Sequence, residues 1–185
     1  AELLVPGFVP IYATSLRYLF DTGQSVETAL TAFAQTYYNY VNSQGGAYRS
    51  TTLSLLKTSK MEDLAHRTGE VFATHTFEGI SDINSLQHFD RPGSYEDRPA
   101  LPRYFDFLEC VERIATPTEY TEIESVVNDI VVWKAATPTF MTGYNGFAIT
   151  RHSGLTTYIE QPAFEKLNTA YHQTAWYKAT RTDPN

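Results

Sequence analysis

The sequence predicts an α/β fold with roughly six helices and three or four short strands. Apolar residues recur every three or four positions through most of the chain, which is typical of helices that pack on one face. Short stretches between them are rich in β-branched residues and alternate in polarity. The 185 residues are 42% hydrophobic and 14% aromatic, which is enough to bury the core of one domain and excludes a disordered chain.

Two helices and one strand are predicted in the first third of the chain. Residues 8–20 carry apolar side chains at helical spacing, and Gly23 supplies the stop. Ser25 is placed to cap the second helix, whose apolar stripe continues to Val41. Residues 51–56 alternate in polarity and predict a short strand.

A third helix and a long irregular segment follow. Ser59 and Glu62 stand at capping-box spacing before a helix that is predicted to reach Phe72. Residues 76–100 contain two glycines, two prolines and five acidic residues, which predicts a loop. A loop of this length inside a compact domain usually has a function or packs across the surface.

The rest of the chain is predicted to hold three helices and two strands. The predicted elements are helices at 104–114, at 120–136 and from Pro162 through Ala175, and strands at 147–150 and 154–159. The second of these helices is expected to end before Pro138, because proline interrupts the helical hydrogen-bond pattern. No run of 18 apolar residues exists, so no transmembrane segment is predicted.

The formal charge of −7 argues against a nucleic-acid partner. Most of this charge lies between Asp106 and Asp129, where seven acidic residues accompany one basic residue, Arg113. We interpret this stretch as the solvated face of two helices. The alternatives are a field that attracts basic substrates and a loose calcium site. No EF-hand pattern supports calcium binding, and no cofactor is predicted.

Local chemistry predicts neither a catalytic residue nor a metal ligand in this chain. Cys110 stands next to Glu109 and close to Glu112, whose carboxylates raise the pKa of a thiol, so we expect a structural cysteine. The histidines do not stand at metal-ligand spacing; they are His66, His75, His88, His152 and His172. Most aromatic residues fall on the apolar helix stripes, which favours core packing over a carbohydrate-binding platform.

Six short motifs follow one another along nearly the whole chain. They are Ala1 to Tyr12, Thr51 to Leu55 with Lys60 to Ala65, Phe105 to Glu112, Val131 to Thr137, Ser153 to Ile159, and Tyr171 to Trp176. In order and spacing they resemble the C-terminal portion of the clostripain-like cysteine peptidases, a family of the caspase-related clan.

The resemblance implies that residues 1–185 form a single unit, the later part of a caspase-like α/β peptidase domain with a helix-rich C-terminal region. In this family a Cys thiolate attacks the scissile carbonyl and a His protonates the leaving amine. The His-Gly and Asp-x-Cys motifs that carry this dyad do not occur in these 185 residues. The dyad is therefore expected in an upstream segment of the same protein, and this chain is expected to supply scaffold and part of the substrate cleft.

The same resemblance implies substrate contacts near the start of the chain. The loop there is expected to contact a peptide or protein substrate through Glu2, Val5, Pro6, Gly7 and Phe8. It also implies an extracytoplasmic protein, which is secreted, periplasmic or held at the surface. A non-catalytic clostripain-like scaffold or binding module is the alternative, and an unrelated carbohydrate-binding or interaction domain is a third interpretation.

Overall fold

A computed structural model describes residues 13–14, 16–20, 23–90 and 101–181. The chain forms two compact units, Ala1–Leu56 with Val131–Gly154, and Lys57–Ile130 with Leu155–Asn185. Helices and short strands together confirm the predicted α/β fold class. Six α-helices lie wholly within the described residues, and none of them is long and apolar enough to cross a membrane.

The helices and strands are numbered in chain order. They are α1 (Val26–Asn42), β1 (Thr52–Leu56), α2 (Met61–Phe72), β2 (Tyr104–Asp106), α3 (Phe107–Ile114), α4 (Pro117–Ile130), β3 (Val131–Ala136), β4 (Thr139–Phe140), β5 (Phe147–Ala148), β6 (Thr156–Tyr158), α5 (Glu165–Tyr171) and α6 (Ala175–Thr180). Strands β5 and β6 therefore confirm the predicted strands at 147–150 and 154–159, but both are shorter than predicted.

Helix α1 is the long helix of the first unit, and its predicted start is confirmed. The Ser25 hydroxyl oxygen accepts a hydrogen bond from the backbone nitrogen of Thr28 at 3.1 Å. This bond satisfies one of the amides that a helix start leaves without an internal partner. The buried face carries Ala29, Tyr37 and Val41. A 3-10 helix at Arg17–Phe20 occupies the described end of the predicted first helix, and residues 8–12 lie outside the described residues.

Residues 131–136 form strand β3, so the prediction that the preceding helix continues to residue 136 is wrong. The buried stripe of α4 ends at Ile130. The next residues include Val131, Val132 and Trp133, which are β-branched or aromatic types that favour strands. Strand β3 pairs antiparallel with β1, with Leu53 opposite Ala135. Pairing with a strand about 80 residues earlier decides the conformation, and helical periodicity does not reveal such a partner.

The core of the second unit is built mainly from helices. Helix α2 packs against α4 and α6, and α3 packs against α4. The core side chains from these helices include Leu64, Val111, Ile123, Val127 and Ile130. Strands β2 and β6 pair antiparallel, with Phe105 opposite Thr157, and add Phe105 to the core.

Two helix starts in the second unit differ from the predictions. Residues 104–106 are strand rather than helix, and α3 begins after Asp106, whose carboxylate accepts a hydrogen bond from the Glu109 backbone nitrogen at 3.1 Å. The Ser59 capping box is wrong, because a 3-10 turn at Thr58–Lys60 leads into α2 and its N-cap position, Lys60, makes no side-chain cap hydrogen bond.

The predicted last helix is divided into α5 and α6. The Thr174 hydroxyl oxygen accepts a hydrogen bond from the Tyr177 backbone nitrogen at 3.2 Å and so caps a new helix. A cap of this kind competes with continuation of the preceding helix, because the capping residue has an extended backbone. Within the irregular segment, residues up to Asp90 form two 3-10 turns, at Phe77–Gly79 and Ile83–Ser85.

Candidate functional site

The structure does not describe the residues that are predicted to contact substrate. Glu2, Val5, Pro6, Gly7 and Phe8 all lie outside the described residues, so their role stays a prediction. The features that the structure does describe are Cys110, the histidines, the acidic helices and an aromatic pocket in the second unit.

Cys110 is completely buried in α3. Burial raises the pKa of its thiol, and the negative charges of Asp106 and Glu109 raise it further. The thiol therefore stays protonated at neutral pH, whereas a cysteine nucleophile must be a thiolate that its substrate can reach. This environment agrees with the structural role that the sequence predicts.

Two of the seven acidic residues in the stretch 106–129 are not solvated, so the solvated-face interpretation is wrong for them. Asp106 caps α3, and the Glu109 carboxylate accepts a hydrogen bond from the Gln87 backbone nitrogen at 2.7 Å. Glu119 caps α4 by accepting hydrogen bonds from the backbone nitrogen and hydroxyl of Thr116, both at 2.7 Å, and these bonds lower the pKa of Glu119. The Asp106 and Glu119 carboxylates therefore stabilise helix starts, and the Glu109 carboxylate stabilises a buried chain segment.

The histidines have different neighbours. The His172 Nε2 atom lies 2.8 Å from the Glu160 carboxylate, and the His88 Nδ1 atom lies 2.8 Å from the Asp90 carbonyl oxygen. Across the described ranges, no three His, Cys, Asp or Glu side chains are grouped in a way that could hold a metal ion. The expectation that the chain uses no cofactor stays a prediction.

An aromatic pocket lies in the second unit, with a volume of about 320 Å³. Its lining residues are Met61, Leu64, Tyr104, Phe107, Leu155, Thr156, Thr157, Tyr158, Tyr171 and Trp176. Leu64, Phe107 and Tyr158 are buried, whereas Tyr104 and Trp176 are half-buried. The pocket is thus a concave, mostly apolar surface of the size that proteins use for small ligands.

The rings of the pocket are held by edge contacts with one another. The Tyr158 and Tyr171 rings are 5.0 Å apart at 66°, and the Phe107 and Trp176 rings are 6.1 Å apart at 80°. The Tyr158 hydroxyl also donates a hydrogen bond to Asn168 Oδ1. Burial raises the pKa of Tyr158 and the pKa of Tyr171 to about 12, so both phenols are uncharged at neutral pH.

Asp90 fixes the strand that carries Tyr104. Its carboxylate accepts hydrogen bonds from the backbone nitrogens of Arg103 at 3.0 Å and Tyr104 at 3.2 Å, and from the Arg103 guanidinium at 3.0 Å. The Asp90 side chain is 9% exposed and the Arg103 side chain 21% exposed. The start of β2 is therefore positioned by a largely buried ion pair.

The sequence does not predict this pocket. Helical spacing predicts that the aromatic residues lie in the core, which is correct for Phe107 and Tyr158 but incomplete for Tyr104, Tyr171 and Trp176. These rings come from separate segments, so no spacing along the chain could have grouped them. One weak signal for the pocket is present in the sequence. The last of the six family-like motifs contains both Tyr171 and Trp176, which the break between α5 and α6 separates in the structure.

No protein-family model matches the sequence, and no curated protein matches it. Solved structures do match. A cysteine protease of B. fragilis superposes with a TM-score of 0.74 at 26% identity, over 91% of this chain and 70% of that one. An inactive zymogen C11 protease from Parabacteroides distasonis superposes with a TM-score of 0.70 at 26% identity, over 82% of this chain and 43% of that one.

A secreted C11 cysteine protease from Bacteroides thetaiotaomicron, iotapain, superposes with a TM-score of 0.72 at 23% identity, over 91% of this chain. This chain spans less than half the length of that protein and of the Parabacteroides zymogen, at 44% and 43%. The matches therefore support a protease-family scaffold. They confirm the sequence resemblance, and the chain matches the C-terminal part of the clostripain-like, C11 cysteine proteases.

Proposed function

We propose that this chain is the C-terminal segment of a clostripain-like cysteine endopeptidase, in which it supplies scaffold and part of the substrate cleft. The observation that carries the proposal is the match to a cysteine protease over 91% of this chain, with a TM-score of 0.74. In the proposal, residues 1–185 belong to one larger peptidase domain. The Cys/His dyad lies upstream, and the substrate is a peptide or protein.

The described chemistry supports a dyad outside this chain. The lone cysteine is buried, and its pKa is raised by desolvation and by two carboxylates, which is the opposite of what a nucleophile needs. We keep Glu2, Val5, Pro6, Gly7 and Phe8 as proposed substrate contacts and propose no cofactor. An extracytoplasmic location is proposed too, and the description of iotapain as secreted supports it.

The test is covalent labelling of the full-length protein with peptidyl chloromethyl ketones that end in Arg, Lys or an aromatic residue. We expect one labelled cysteine upstream of Ala1, found by peptide mass spectrometry, and we expect Cys110→Ser to be labelled like the wild type. The matched control is Cys110→Ala, which removes the same thiol without adding a buried hydroxyl.

Two results would contradict the proposal. Label on Cys110 would place the nucleophile in this chain. A folded full-length protein that takes up no label and cleaves no peptide would favour the alternative, a non-catalytic clostripain-like scaffold or binding module.

A further inference from the structure

We propose that the aromatic pocket of the second unit binds the ammonium group of a small organic cation, of the trialkylammonium class. Binding of such a cation would be a function in addition to the proposed peptide hydrolysis. The pocket contains none of the residues that we propose as substrate contacts.

The lining of the pocket is rich in aromatic rings whose faces attract cations. Three phenol rings, one indole and one benzyl ring surround the pocket, from Tyr104, Tyr158, Tyr171, Trp176 and Phe107. The face of each ring is electronegative, and indole and phenol attract cations most strongly. Several such rings around one space form the kind of aromatic cage that recognises quaternary ammonium groups. Tyr158 and Tyr171 keep their protons at neutral pH, so they act through their rings and hydroxyls.

The negative charge of the second unit complements a cationic ligand. The second unit holds 18 acidic and 10 basic residues, a formal charge of −8, whereas the first unit holds 3 acidic and 4 basic residues. A unit with this charge attracts cations to its surface, and a low-dielectric pocket focuses the field. No Lys or Arg belongs to the pocket lining given above. A cation is therefore attracted to the unit and meets no Lys or Arg among the described lining residues.

Two basic groups near the lining rings are already paired with carboxylates. The Arg103 guanidinium, beside the Tyr104 ring at 5.8 Å, bonds to Asp90 at 3.0 Å. The Arg181 guanidinium bonds to Glu78 at 3.0 Å and stacks on the Phe72 ring at 4.1 Å. Tyr171 also lies in the field of Arg181, whose charge lowers the Tyr171 pKa against the larger effect of burial. Their ion pairs reduce the repulsion that these two arginines would exert on a bound cation.

The volume of the pocket also fits a small cation. A volume of about 320 Å³ lies at the lower end of the range for small-ligand pockets, so it suits a compact group rather than an extended chain. A trialkylammonium group buries apolar methyl surface against the rings and keeps its diffuse charge near their faces. A neutral group of the same shape would gain the apolar contact but not the electrostatic attraction.

The test compares choline with 3,3-dimethylbutan-1-ol, its neutral isostere, by titration calorimetry of the protein at low salt. We expect choline to bind about tenfold more tightly than the isostere. We also expect Tyr171→Phe to keep this preference and Tyr171→Leu to lose most of it. Trp176→Leu should weaken binding, whereas Trp133→Phe, in the first unit, should leave it unchanged. Circular dichroism establishes that each variant is folded.

Three outcomes would overturn the proposal. Equal binding of choline and its isostere would make the pocket a simple apolar site. Undetectable choline binding to the folded wild-type protein would remove the site altogether. Unchanged choline binding in folded Tyr171→Leu and Trp176→Leu would assign the cation to the acidic surface rather than to the pocket. The first two outcomes are measured on the wild-type protein, so they can overturn the proposal even if both leucine variants fail to fold.

Discussion

The ion pair of Asp90 with Arg103 provides the sharpest test of how the second unit is held together. The Asp90→Ala substitution removes one carboxylate that accepts from two backbone nitrogens and one guanidinium, all within 3.2 Å. The three donors remain, and they have little access to water, because the Asp90 side chain is 9% exposed and the Arg103 side chain is 21% exposed. The substitution therefore leaves a largely buried cation and two amides without their acceptor.

The expected cost follows from these contacts. Breaking a buried ion pair by removing one partner typically costs about 3–5 kcal/mol, because the other charge stays buried. The Arg103 guanidinium retains some access to water, and it can stay over the Tyr104 ring at 5.8 Å. Both features reduce the penalty, so we expect a loss of about 3 kcal/mol in the free energy of unfolding.

Urea denaturation followed by circular dichroism measures this loss. With a slope of about 2–3 kcal/mol per molar urea, the midpoint should fall by about 1–1.5 M while the slope stays unchanged. Asp63→Ala is the matched control, because the same residue change there removes an exposed carboxylate, which pairs with Lys60 at 3.3 Å. Exposed pairs of this kind contribute less than about 1 kcal/mol.

A difference of less than about 1 kcal/mol between Asp90→Ala and Asp63→Ala would refute the reasoning. It would mean that water or other groups replace the Asp90 carboxylate at no cost. A changed urea slope would mean that the substitution alters the compactness of one state rather than a single set of contacts.

Two further predictions concern a hairpin turn and a buried phenol. Gly146→Ala would place a Cβ atom against the carbonyl oxygens of Phe140 and Met141, so we expect a loss of about 2–3 kcal/mol in urea unfolding. Gly45→Ala, where a Cβ atom meets open space, should change stability by less than about 0.5 kcal/mol, and equal effects would contradict the predicted clash. Burial raises the pKa of Tyr171 to about 12 from an ordinary value of 10.0, so its protonated form is favoured in the folded state. Stability should therefore be intact below pH 10 and fall as the pH rises from 10 towards 12. Tyr171→Phe should flatten this loss in urea midpoints measured against pH, whereas Tyr48→Phe at an exposed position should not, and parallel curves for all three proteins would exclude Tyr171 as the cause.

The family resemblance could be inferred from the sequence because it rests on the order of short motifs. Some local elements could also be inferred, because their signals lie within a few residues of each other. Ser25 and the stripe that reaches Val41 define α1 in this way, since capping and helical periodicity both act within a few turns. The low reactivity of Cys110 could be predicted from its acidic neighbours, which raise the pKa of its thiol. Burial raises this pKa by a larger amount.

Only the tertiary structure decided the elements whose partners are distant in sequence. Residues 131–136 are a strand because β1 supplies the hydrogen-bonding edge, and residues 104–106 are a strand because β6 does. The pocket has the same origin, because Tyr104, Tyr171 and Trp176 meet only after the strands pair and the helices pack. Capping and helical periodicity act over a few residues, whereas strand pairing and side-chain packing act across the whole chain. The sequence therefore determined the family resemblance and helix α1, and tertiary contacts determined the strands and the aromatic pocket.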